Sequence, residues 1–194
     1  HRISTQEYGI EVSPVLSFDE RGHQKNSTTY FVYGSKEDGT KPETFYPTNE
    51  MFIGEGGSFL NPEAVRTVKE GVKAGAKIQG KEAVGALAFE SVELKAGEKT
   101  GYIVVAGITD DVLEIEKTTV LYRTKEAVLE CFENTKRHWV EKVNIDFEMN
   151  DDLVDNYLKW ICFQPILRRI YGCSFLPYHD YGKGGRGWRD LWQN

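Results

Sequence analysis

A β-sandwich that leads into a helical part is the fold class the chain predicts, and three observations predict it. Residues 1–122 carry β-branched and aromatic runs separated by short polar turns, the pattern of strands in facing sheets. Near Thr124 the apolar spacing changes to a helical period. From Tyr157 onward the chain becomes densely aromatic, and after Phe175 it mixes those aromatics with glycines. The chain therefore divides into a β-sandwich portion at 1–122, a linker helix at 123–149 and the opening of a helical domain at 150–194.

Each element follows from its local pattern. Thr28-Thr29-Tyr30-Phe31-Val32-Tyr33 is a β-branched and aromatic run closed by Gly34 and Ser35. Residues 84–94 and 100–108, with a turn at Lys95-Ala96-Gly97-Glu98 between them, predict a hairpin. Its second strand is apolar on both sides, which predicts a place in the middle of a covered sheet. Residues 46–76 mix aromatics with glycines and read as a long surface excursion, with one helical turn after Asn61-Pro62. Thr124 is a suitable N-cap, with Glu126 in the first turn. Ala127, Val128, Cys131, Phe132, Thr135 and Trp139 then form one stripe through about Val143. A second helix starts at Asn150-Asp151-Asp152, and Pro165 is expected to kink or break it.

Composition bounds the function. The chain has 194 residues, enough to bury a real core. A net charge of −6 argues against a nucleic-acid surface, and no apolar run approaches the roughly 18 residues of a membrane helix. Cys131, Cys162 and Cys173 lack paired spacing, which fits neither a disulfide framework nor a zinc site and points to a reducing cytoplasm. The chain begins at His1 and stops at Asn194 where a helix should start. It is expected to be a piece of a longer protein.

The candidate chemistry sits in the last twenty residues. Tyr178, Tyr181 and Trp188 flank Gly182, Gly184, Gly185 and Gly187. A pliable backbone with flat apolar faces suits a sugar, whose rings stack on aromatics. Tyr157, Trp160 and Phe163 lie on the helix and read as core. Lys183 and Arg186 fail the spacing of a nucleotide-phosphate loop and read as a solvated basic loop, with a phosphate contact as the alternative. His179 and Asp180 are sequence neighbours without a second histidine at ligand spacing, so a metal site is not expected. His138 reads as structural. Asp190 has two readings. With Gln193 it has the form of a helix-capping box, which would lower its pKa. A general acid needs the opposite shift, by burial against Trp188.

At Gly187-Trp188-Arg189-Asp190-Leu191-Trp192-Gln193 the sequence resembles the inverting cellobiose phosphorylase family, glycoside hydrolase family 94. The longer run from Tyr178 through Asp190 is most similar in look to members acting on β-1,2-glucans, the sophorose-type oligosaccharides. Specific motif covers about 160–193. The resemblance implies that 150–194 begins an (α/α)6-barrel catalytic domain. It implies Asp190 as the general acid, with Trp188, Arg189, Tyr181 and Asp180 lining the sugar site. It further implies inorganic phosphate as co-substrate, no organic cofactor, no metal and a homodimer. Relatives carry Asp where this chain has Asn194, and their phosphate-binding residues would lie beyond residue 194.

The implied reaction is phosphorolysis with inversion. Asp190 protonates the glycosidic oxygen as the bond breaks through an oxocarbenium-like state. Phosphate attacks from the opposite face, releasing α-glucose 1-phosphate without a second protein carboxylate. Three alternatives stand beside it: a non-catalytic carbohydrate-binding β-sandwich, a cellobiose-type phosphorylase, and a glycoside hydrolase.

Overall fold

The computed structural model of the chain describes residues 1–15, 26–67 and 70–171, the side chains of 167–171 excepted. These residues fall into two compact units that divide between Cys131 and Phe132. The first is built on antiparallel sheet. Its strands are β1 (Arg2–Thr5), β2 (Gly9–Ser13), β3 (Thr29–Lys36), β4 (Thr44–Thr48), β5 (Lys77–Gln79), β6 (Ala83–Ala88) and β7 (Tyr102–Thr109). Five strands form one sheet in the order β5-β1-β2-β3-β7, and β4 pairs with β6 in a second.

Strand alternation gives the large sheet two different faces. One face presents Ile3 and Ile10, which pack with Phe45 of β4 in a core that also takes in Val12, Val72, Ile78, Ala83 and Leu87. The two sheets thus face one another across a shared apolar layer. Thr5, buried beside that layer, keeps its hydroxyl satisfied in both senses. It donates to the Lys73 carbonyl at 2.8 Å and accepts from the Ala76 amide at 2.9 Å, which ties the 70–76 segment to β1. Gly34 lets the two sheets approach closely: a Cβ there would lie 2.6 Å from Leu87 Cδ1, and that side chain would have to shift.

The opposite face of the large sheet is covered by a helix, α3 (Val112–Leu121), whose Ile115 packs with Phe31 and Tyr33. Asp111 caps α3 by accepting from the Leu113 amide at 3.0 Å. Residues 1–122 are built mainly on sheet, as expected, and α3 is an element their pattern did not announce as a helical period. The β-branched Thr118-Thr119-Val120 tract concealed it, while Asp111 and Glu114, at capping-box spacing, announce it.

The expected hairpin at 84–108 is also corrected. The turn exists, with Glu98 N–H bonded to the Lys95 carbonyl and Gly97 at φ +87°. Its arms separate, however: β6 joins β4, while β7 joins β3 over eight residue pairs from Thr29↔Thr109 to Lys36↔Tyr102. β7 is accordingly at an edge of its sheet, where a central place was expected. Its apolar composition reflects α3 on one side, while on the other Tyr102 meets the Phe89 ring at 4.8 Å and Val104 and Ile108 are exposed.

The 46–76 excursion is partly core. Tyr46, Pro47, Thr48 and Ala64 are buried, around short helices α1 (Asn49–Ile53) and α2 (Glu63–Arg66).

α4 (Lys125–Lys142) starts as expected on Thr124, whose hydroxyl accepts from the Ala127 amide at 3.3 Å. In the second unit, α5 (Asp152–Tyr171) starts on Asp151, which accepts from Leu153 and Val154. Asn150 precedes it at φ 60°, a left-handed conformation that asparagine tolerates. Pro165 lies inside α5 without ending it. One missing donor leaves the ladder bonds before and after it in place. Among the described residues no helix is long and apolar enough to cross a membrane.

Candidate functional site

The residues expected to carry chemistry, Asp190 with Trp188, Arg189, Tyr181 and Asp180, lie outside the described residues, as do His179, Lys183 and Arg186. The described helices α4 and α5 carry aromatics of their own. Trp139 meets Phe163 edge-on at 4.6 Å between ring centroids, and Phe163 meets Trp160 at 5.5 Å. Tyr157 and Trp160 were read as core. They are instead 61% and 54% exposed, on the same side of α5 as the exposed Leu153 and Ile161. Their helical spacing signals an apolar face, but spacing alone does not say whether that face is covered. His138 is exposed and sets its ring against Trp139 at 5.2 Å.

Within the first unit, a small recess lies where the end of α3 meets β3 and β7, lined by Tyr8, Tyr33, Val105, Thr119, Tyr122 and Arg123. Strand alternation brings Glu11 and Tyr33 to this face of the sheet, and the chain leaving α3 delivers Arg123. The Tyr33 hydroxyl donates to Glu11 Oε1 at 2.6 Å, and Glu11 Oε2 accepts from Gln6 at 3.0 Å. Burial first, then the bond to Glu11 and its charge, hold the Tyr33 phenol far above the usual tyrosine range. Arg123 lies 3.8 Å above the Tyr8 ring, a cation–π contact.

This arrangement locks strands together and has little capacity for catalysis. Tyr33 stays protonated and its proton is committed. Glu11, the carboxylate within reach, is occupied by donors on both oxygens. The free space is about 10 Å³, room for little more than one water molecule. Next to Tyr8, Lys41 pairs with Glu7 at 2.8 Å in solvent, and that bond holds the Glu7 carboxyl below its usual range. Among the described residues no three His, Cys, Asp or Glu side chains come together as metal ligands.

Sequence reasoning did not identify the Tyr33–Glu11 pair. Its signal was weak: both lie on alternating strands, but their meeting depends on the register Glu11↔Phe31, which no local pattern specifies. The chain matches no protein-family model, and no curated protein matches it either.

Proposed function

We propose that this chain is the β-sandwich and first helices of an inverting glycoside phosphorylase that cleaves β-linked gluco-oligosaccharides, β-1,2-glucans foremost, with phosphate. One observation carries the reading: the run Gly187-Trp188-Arg189-Asp190-Leu191-Trp192-Gln193 follows a sheet-rich part and two helices in the order this enzyme class uses. Asp190 serves as general acid, Trp188 supplies the flat apolar wall that raises its pKa, and Arg189, Tyr181 and Asp180 hold sugar hydroxyls. The (α/α)6 barrel that completes the site, and its phosphate ligands, belong to a longer polypeptide. Cys131, Cys162 and Cys173 lack paired spacing, which suits a reducing cytoplasm.

A second reading is a glycan-holding β-sandwich without chemistry, favoured by the two facing antiparallel sheets. One assay separates these. The full polypeptide carrying this chain is incubated with sophorose-type and cellobiose-type oligosaccharides, with and without phosphate. Phosphate-dependent release of α-glucose 1-phosphate is the expected result, with the preferred oligosaccharide identifying the linkage. Free glucose without phosphate marks a hydrolase, and glycan binding without any product marks the binding module.

A further inference from the structure

We infer that the recess at the end of α3 is a built site for one structural water molecule, held between the Arg123 Nε–H and the hydroxyl oxygens of Ser35 and Thr119. The site lies within the first unit and is independent of the phosphorolysis reading.

Arg123 lies between α3 and α4, and its guanidinium sits 3.8 Å above the Tyr8 ring. A guanidinium carries its N–H bonds in its own plane, so a ring against its face satisfies none of its donors. The Arg123 Nε is one of those donors. It is buried, and no hydrogen-bond partner meets it among the described residues. Folded proteins seldom leave a buried donor of a charged group without an acceptor, because the lost hydration is not recovered. Bulk solvent does not reach this atom, so its acceptor has to be held inside.

The recess that Arg123 lines has the right size for such an acceptor. Its free space is about 10 Å³, the room of one water molecule and too little for a larger ligand. Its walls have the right chemistry as well. Ser35 and Thr119 both line it, and each is 3% exposed. The Thr119 hydroxyl donates to the Glu116 carbonyl at 3.2 Å, which commits its proton and leaves its oxygen able to accept. One unmet donor thus stands beside hydroxyl oxygens that can still accept. A water molecule answers both at once, since it accepts from Arg123 and donates to the hydroxyls.

The charges around the recess favour a neutral ligand over an ion. Arg123 repels a cation. The carboxylates of Glu11 and Glu116, both of which act on the neighbouring Tyr33 hydroxyl, repel an anion. The water therefore serves as a clasp: it ties the turn at Arg123 and the last turn of α3 to Ser35 on β3, next to the apolar layer of Ile115.

Two measurements test this site. In nuclear magnetic resonance of the whole chain, the Arg123 Nε–H proton is expected to show a cross-peak at the water frequency. Its sign should be opposite in laboratory-frame and rotating-frame experiments, the mark of a resident water. Equal signs, a signal lost to exchange, or no cross-peak overturns the inference, since Arg123 then meets bulk solvent or no water at all. The second measurement displaces the water. Ser35→Val should lower the urea midpoint, because Arg123 Nε is left unmet. In an Arg123→Met background there is no donor to orphan, and the same substitution should shift the midpoint by less than about half as much. A shift above that share marks ordinary overpacking and overturns the inference. So does a midpoint that rises with Ser35→Val, because a dry void gains from being filled. Should Ser35→Val fail to fold, the cross-peak of the unaltered chain decides alone.

Discussion

Tyr33 shows what a single side chain contributes here. Its ring is part of the layer with Phe31 and Ile115, and its hydroxyl spans to Glu11 on the neighbouring strand. A hydrogen bond to a carboxylate is worth about 1.5–3 kcal/mol, so Tyr33→Phe should lower the unfolding free energy by about that amount at neutral pH. Urea midpoints check this. The pH dependence carries a sharper sign. The folded-state pKa of Tyr33 is raised, so its contribution is complete below about pH 10, the ordinary tyrosine value, and is lost as pH rises beyond it. Wild-type stability should therefore fall more steeply than that of Tyr33→Phe between about pH 9 and 11. Equal slopes would show that the phenol is not held protonated by Glu11 and burial. None of this was legible in the sequence, because Glu11 and Tyr33 meet only through strand register.

Among elements, α3 has the greatest leverage over the sheet. It reaches the core through Ile115, 1% exposed, with Thr119 beside it. Ile115→Ala should cost about 2–5 kcal/mol, the range for truncating a buried aliphatic side chain, and the denaturant midpoint should drop accordingly. A loss under about 1 kcal/mol would mean α3 is not what closes that face. The elements also show what local pattern can and cannot specify. The starts of α4 and α5 were readable from Thr124 and Asp151, since a cap and its helix lie within four residues. The β7 strand itself was readable from its composition, but its partner was not. β3 lies about seventy residues earlier in the chain, and nothing in Tyr102-Ile103-Val104-Val105 distinguishes a hairpin arm from an edge strand. Pro165 was expected to kink or break α5 and does not end it, because one lost donor leaves ladder bonds on both sides. Tyr157 and Trp160 were overread, since an apolar stripe reports a face and not its cover.

At the scale of the whole molecule, two antiparallel sheets and a covering helix form one unit, and α5 with its exposed aromatic face belongs to the other. The polar recess of the first unit is committed to structure, so catalysis in this account rests entirely on the segment after Tyr171, and within it on Asp190. The sequence points to that residue only through a seven-residue motif, because a capping aspartate and a general acid look alike in sequence. The most direct measurement compares wild type with Asp190→Asn in the full polypeptide, following phosphate-dependent release of α-glucose 1-phosphate from a β-1,2-linked oligosaccharide. The account predicts a rate reduced by about a hundredfold to ten-thousandfold with glycan binding retained. A variant within about tenfold of wild type would contradict it, because the departing sugar would then be taking its proton from elsewhere.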